Sequence, residues 1–360
     1  MNPRGGWRNA PAKAGVVRLM SQRSTVARLA EEKGLVIVSP EALTLRRQRC
    51  GKGFAFVTLS GAFVRDGGEM RRLKALAVPP AYINVRFAAD PAAHLQAVGE
   101  DAAGRLQYRY HPKWAEVREA LKARRLAGLA KSLPAIRRAV GRCLSSEEID
   151  RRFVAAVVVE LVSRTAIRAG GEEYARERGT RGATTLLKSN LKLADKAVVS
   201  LSFKAKGGKI ITKEVKSARL HAAMTRLLDL PGRRLFQCRD GDIVRPVRAA
   251  DVNAFLQEIA GRRISLKDFR TLVASASALK ALAATEPADS ERKRRRQVRE
   301  AVIGIAEELA NTPTVCRTSY VHDSVIAAFE AGALKRPRTR KARSPATQAE
   351  LLARIVGRHA

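Results

Sequence analysis

The sequence predicts an α+β protein, a small mixed β-containing N-terminal domain followed by a mainly α-helical domain that carries a β-hairpin. Three observations predict it. Residues 35–115 break into short apolar runs between turn residues, and Pro79-Pro80 and Pro91 forbid long helices there. From about residue 115 the chain changes to Ala-, Leu-, Val- and Arg-rich segments with apolar residues at helical spacing. One alternating stretch, AVVSLSFKAKGGKIITKEV, interrupts them. The expected organisation is a basic flexible arm over 1–34, the β-containing domain over 35–115, the α domain over 116–333 and a basic tail over 334–360.

In order, the first domain reads as strands in GLVIVS, GFAFVTLSG, the turn-rich VPPAYINVRFAADP, HLQAVG and RLQYRYH, with a helix around Glu69 to Leu76. In the second, Ser145-Ser146-Glu147-Glu148 has the form of a capping-box start. The stripe Ile149, Phe153, Val157 and Leu161 then runs toward Arg168, and Gly170-Gly171 is the expected stop. In the hairpin, Val199, Leu201 and Phe203 share one face, Ser200, Ser202, Lys204 and Lys206 the other, and Gly207-Gly208 supplies the turn. Ser265 followed by Asp268 repeats the cap signal, which places Arg270 near the start of a helix through VASASALKALAA. The run ERKRRRQVRE leads into VIGIAEELA, a helix that stops at Asn311. Pro313 biases Thr312 away from helical angles and suits the first position of a new helix, so a break falls at Asn311-Thr312 and Tyr320 lies at or just beyond the end of a short helix. Residues 347–357 can form a short terminal helix.

Lys and Arg number 69 against 34 Asp and Glu, a net charge of +35 on a chain that is 46% hydrophobic. A foldable body with that field seeks a polyanion, and nucleic acid is the densest one available. No stretch is long and apolar enough for a membrane span. Residues 1–30 lack acidic residues, but Gly5-Gly6 and Pro11 interrupt any amphipathic transit helix. Cys50, Cys143, Cys238 and Cys316 are far apart with no ligand spacing, and the five histidines form no cluster, so reduced thiols in a cytoplasm and no metal are expected. No Walker loop is present, and no cofactor is expected.

Arg168, Lys206 and Arg270 are basic residues placed at element ends, where charged heads can converge on a ligand. Phosphoryl transfer needs donors on the non-bridging oxygens, an in-line nucleophile and an acid for the leaving oxygen. Arginine suits the first role, and a tyrosine can serve as nucleophile. The segments IRAGGEEYARERGTRGATTL, FKAKGGK, KDFRTLVASAS and NTPTVCRTSYVH, in this order, resemble type IB DNA topoisomerases of the bacterial and poxvirus kind. GKGFAFVTLSG, VPPAYINV and HLQAVGEDAAGRLQYRYHPKW are similar to that family's DNA-clamping domain.

The resemblance implies Tyr320 as nucleophile, Arg168 and Arg270 as scissile-phosphate ligands and Lys206 as the acid, with Lys204 and Lys209 as its rivals in the hairpin. Asn311 stands where eukaryotic and poxvirus members carry histidine and bacterial members commonly carry asparagine. An amide there can donate a hydrogen bond but cannot serve as a cationic acid. Gln107, Tyr108, Arg109 and Tyr110 match a segment that contacts duplex DNA, although strand alternation sets Tyr108 and Tyr110 on a face that is equally suited to the core. Tyr82 and Tyr174 read as packing residues. The implied protein is a monomer that clamps double-stranded DNA in the nucleoid and relaxes it without ATP or metal. Departures from the family include Leu272, Val273 and Ala274 after the Arg-Thr pair, Ala310 where glycine is usual, Arg181 in place of an apolar residue and Asp323 in place of proline. A tyrosine recombinase shares the constellation but typically has histidine where this chain has Lys267; a non-enzymatic basic DNA-binding protein is the third reading.

Overall fold

The structure is a computed structural model that describes residues 25–195 and 197–334, together with 351, 352 and 356. The chain divides after Leu121 into two compact units, inside a long helix rather than at its start. Residues 25–31 are helical, and Leu29, Ala30 and Leu35 are buried with Val117. This part of the expected arm is therefore folded, because its apolar residues find a helix face to cover. Residues 1–24 and the basic run of the tail lie outside the described residues. Of the expected terminal helix, 351, 352 and 356 are helical, and Leu352 and Val356 are buried.

The first unit is built on five antiparallel strands in the order β2-β1-β3-β4-β5, namely β1 (Leu45–Cys50), β2 (Gly53–Val57), β3 (Ile83–Phe87), β4 (Leu95–Glu100) and β5 (Leu106–Tyr110). Strand β1, LRRQRC, is absent from the expectation because three arginines mask its pattern. The GLVIVS segment instead makes only a single bridge, Val36 to Ala93. Helix α1 (Gly67–Ala75) starts on Asp66, whose side chain accepts from the Glu69 amide at 2.7 Å, and lays Leu73 over Leu45, Phe56, Val85 and Phe87. Leu43, Ala93, Leu95 and Val98 make a second small cluster. Both clusters keep β4 buried, whereas β5 is the sheet edge and is largely exposed.

The second unit begins within α2 (Trp114–Leu144) and is organised around α3 (Arg151–Thr165). Every residue from Phe153 to Val162 is buried, as in a central helix, and the one charge among them, Glu160, pairs with Arg164 and Arg219. Its run of three valines, Val157 to Val159, is a poor helix former by a few tenths of a kcal/mol each, but burying one such side chain contributes about 1.5–3 kcal/mol, and burial wins. Asp150, not Ser145 or Ser146, caps α3, accepting from the Phe153 amide at 2.7 Å. The helix also stops earlier than Gly170, at left-handed Ala166.

Helix α4 (Glu172–Arg178) follows. A three-stranded sheet β6 (Leu191–Ala194), β7 (Val198–Lys204) and β8 (Ile210–Lys216) enlarges the expected hairpin by one strand. Then come α5 (Ala218–Leu228), a further ladder β9 (Gln237–Asp240) and β10 (Ile243–Pro246), α6 (Ala249–Ala260), α7 (Leu266–Ala283), α8 (Glu291–Glu308), α9 (Pro313–Ser319) and α10 (Asp323–Glu330). The Ser265-Asp268 cap forms as expected, with the Ser265 amide donating to Asp268 at 2.8 Å. No described helix is long and apolar enough to cross a membrane.

Candidate active site

Arg168 lies in the loop that follows α3. Left-handed Ala166 turns the chain out of the helix, and residues 168–170 are then fastened to 182–184: the Ala183 amide donates to the Arg168 carbonyl at 2.7 Å and the Thr184 amide to Ala169 at 2.8 Å. Gly182 is required by this closeness, since a Cβ there would stand 2.5 Å from the Gly170 nitrogen and 2.6 Å from the Arg168 carbonyl oxygen. The Arg181 amide donates to Lys204 at 2.7 Å, which ties the same loop to the hairpin.

Arg270, in the second turn of α7, is only 3% exposed. It donates through Nη1 to the Ala166 carbonyl and through Nη2 to the Leu309 carbonyl, at 3.1 Å for the latter. It thereby joins the exit of α3 to the end of α8. Asn311 reaches the site because α8 ends at Leu309 and Ala310 turns left-handed, with the Asn311 amide donating back to Ala306 at 2.8 Å. Arg168 Nη2 donates to Asn311 Oδ1 at 2.5 Å. Lys213, on the inward face of β8, donates to the Glu308 carbonyl at 2.6 Å and holds the same helix end.

Thr312 caps α9, accepting from the Val315 amide at 3.3 Å, and Pro313 is its first residue. Tyr320 is the C-cap, so the expected break and short helix are both present. The phenol ring is nearly buried, with the Arg270 guanidinium 4.8 Å from its centroid. Burial pushes the Tyr320 hydroxyl up, but the Arg270 charge, with smaller contributions from Arg168 and Lys267, outweighs it and holds the phenol below the ordinary tyrosine value. Burial lowers Arg270, and the nearby Arg168 charge adds to this while Tyr320 opposes it. Two donors in this cluster, Arg270 Nε and Asn311 Nδ2, are buried without a hydrogen-bond partner among the described residues.

Thus four of the five expected residues, Arg168, Arg270, Asn311 and Tyr320, are joined in one cluster. Lys206 stands exposed at the tip between β7 and β8 and makes no hydrogen bond or ion pair among the described residues. In the first unit, Tyr108 and Tyr110 are 40% and 41% exposed and stack on each other with ring centroids 6.1 Å apart. The core alternative for these two fails because both rings on edge strand β5 stay open to solvent, although Trp114 stacks on Tyr110 with centroids 6.3 Å apart. Gln107 donates to Asp101 at 2.9 Å and Arg109 to the Ala77 carbonyl at 3.1 Å. Tyr174, half exposed with Arg178 over its ring, is not the packing residue the sequence suggests; Tyr82 is partly buried, as expected.

Sequence reasoning missed Ser275, Lys122 and Lys213. A serine inside an apolar helical run, and a lysine in the inward phase of a strand, were the available signals. Among the described residues no group of His, Cys, Asp or Glu side chains could hold a metal ion.

The helical unit thus gathers two arginines and an amide around a buried tyrosine. A family model described as eukaryotic DNA topoisomerase I, catalytic core, matches residues 112–344, and bacterial DNA topoisomerase IB, N-terminal domain, matches 53–101. The DNA topoisomerase 1B of Acanthamoeba polyphaga mimivirus is 28% identical over 292 residues, which is 79% of this chain and 87% of that protein. Among solved structures, a XerH site-specific recombinase bound to its difH substrate aligns at 16% identity with a TM-score of 0.34, over 53% of this chain and 49% of the other. The chain belongs to the type IB DNA topoisomerase family.

Proposed function

We propose that this protein relaxes supercoiled duplex DNA by breaking and resealing one strand through a 3′-phosphotyrosyl intermediate. The Tyr320 oxygen attacks the scissile phosphorus and the bond to the 5′ oxygen breaks. Lys206 gives that oxygen its proton. The broken strand swivels, and the 5′ hydroxyl then attacks the phosphotyrosine and restores the original bond. The energy of the phosphodiester is kept in the intermediate, so the reaction consumes no ATP, and the charge stabilisation comes from Arg168, Arg270 and Asn311 without a metal.

The observation that carries this reading is the pair of buried, unpartnered donors, Arg270 Nε and Asn311 Nδ2, beside the Tyr320 ring. Leaving such donors unsatisfied costs about 1–3 kcal/mol each, and an incoming phosphate oxygen removes that cost. A phenol held below its ordinary value is a better nucleophile near neutral pH. Lys206, free at the hairpin tip, engages when DNA is present. Gln107, Tyr108, Arg109 and Tyr110 contact the duplex from the exposed edge strand, and a monomer clamps the DNA within the nucleoid.

The test is plasmid relaxation in EDTA without ATP, together with trapping of protein on the 3′ end of nicked DNA. Wild type should relax and form the adduct. Relaxation by Tyr320→Phe, or an adduct on the 5′ end, would sink the reading.

A further inference from the structure

We infer that Ser275 is a positioning residue for the nucleophile, its buried hydroxyl locking the backbone that leaves Tyr320 onto the helix that carries Arg270; this rests on Tyr320 being the nucleophile. Ser275 lies five residues after Arg270 in α7 and is fully buried. Its Oγ donates to the Tyr320 carbonyl at 3.0 Å and accepts from the His322 amide at 3.1 Å. Both groups belong to a turn that the preceding helix cannot satisfy. The Tyr320 and Val321 amides both donate to the Cys316 carbonyl, at 3.0 Å each, and α9 ends there. Helix α9 ends here and α10 starts on His322, whose Nδ1 accepts from the Ser324 amide at 3.2 Å, so the turn between them has no helical ladder of its own. One hydroxyl, used as both donor and acceptor, fills the gap. Lys122 adds a bond to the Val321 carbonyl at 3.3 Å.

The mechanical consequence follows from where Ser275 is anchored. A side chain at a helix C-cap is free to swing unless the turn beyond it is fixed. Here the turn is fixed to α7, so the Tyr320 ring and the Arg270 guanidinium share one rigid support. Their separation of 4.8 Å is then set by the helix rather than by the loop between α9 and α10. Attack on a phosphorus held by Arg270 needs that register, and a small misplacement costs orders of magnitude in rate. The charged groups acting on the phenol are Arg270 and Lys267 from α7 and Arg168 from the loop after α3. A slack turn would let the ring move away from them.

The experiment is single-turnover formation of the covalent adduct on a duplex whose cleaved strand departs, measured against pH, with DNA affinity and melting temperature recorded in parallel. Ser275→Ala should slow cleavage about 10- to 100-fold, with affinity nearly unchanged, by loss of a buried two-way hydrogen bond. Its pH midpoint should move upward, toward the ordinary phenol. Ser275→Thr and Ser275→Val match each other in volume and differ in the hydroxyl, so threonine should cleave at least about tenfold faster than valine. The inference is overturned if Ser275→Ala cleaves at the wild-type rate with the wild-type pH profile, or if threonine and valine are equally slow with unshifted profiles, which would mean packing alone. If wild type forms no adduct, or Tyr320→Phe still forms one, the nucleophile assignment itself has failed, an outcome separate from the others.

Discussion

Asn311 can act on the reaction in two ways that the geometry separates. Its Oδ1 accepts from Arg168 at 2.5 Å, while its Nδ2 is buried and unpartnered. If the residue serves only to orient Arg168, Asn311→Asp should outperform Asn311→Ala, because a carboxylate keeps and strengthens the bond to the guanidinium. If Nδ2 is the working atom, the order reverses. Removing a donor to a charged phosphate oxygen costs about 1.5–3 kcal/mol, so alanine should slow cleavage roughly 10- to 150-fold. Aspartate also places a negative charge near an anion. At ~4 Å and an effective dielectric constant of ~20 the repulsion is about 4 kcal/mol before Arg168 offsets part of it, which makes aspartate a further ~10- to 1000-fold slower. The assay is the rate of covalent adduct formation under single-turnover conditions with saturating enzyme, so that affinity does not enter. An aspartate variant that cleaves faster than the alanine variant refutes the donor role.

Further outcomes are expected. Cleavage by wild type should rise with pH to a midpoint below that of free tyrosine, and the melting temperature of wild type relative to Tyr320→Phe should increase over the same window; the lowered phenol contributes stability that is complete above the unfolded value near 10 and lost as pH falls through the folded one. Lys206→Ala should slow cleavage by orders of magnitude while leaving DNA affinity within a few-fold, as read by adduct formation against gel-shift titration; a loss confined to affinity counts against the acid role. Ala310→Gly should raise stability by about 0.5–1 kcal/mol in urea denaturation, because Ala310 sits at a φ of 50° that costs alanine more than glycine. Gly182→Ala should do the opposite, with a loss of at least about 1–3 kcal/mol and a misplaced Arg168, since the new Cβ meets backbone rather than a side chain that can yield. Lys213→Met should lower stability by about 0.3–1 kcal/mol through loss of the cation at the end of α8, detectable by the same denaturation.

The departures from the family pattern acquire physical reasons in the structure. Ala310 occupies the left-handed position that glycine usually fills. Arg181 keeps its backbone bond to Lys204 and donates to the Thr185 carbonyl at 3.4 Å. Asp323, at the start of α10, pairs with Arg317 at 2.5 Å. Leu272 is buried in the core.

The sequence by itself determined the α+β class and the element boundaries set by local chemistry, and it named Arg168, Arg270, Asn311 and Tyr320, which the fold gathers into one cluster. Pro313 after Thr312 required a new helix, Ser265 with Asp268 required a cap, and glycines between alternating runs required a hairpin, because each is a constraint carried by a few adjacent atoms. Where propensity and burial disagree, the sequence was silent or wrong: strand β1 is hidden by its arginines, α3 is capped by Asp150, and the exposure of Tyr108 and Tyr110 goes with β5 lying at the sheet edge. Only the tertiary structure decided that Arg168 meets Asn311 across 143 residues, that Arg270 joins two helix ends, and that Ser275 closes the turn beyond Tyr320. Those contacts are made by chain segments that share no local pattern, and they exist because buried donors and acceptors must find partners wherever the packed core brings them.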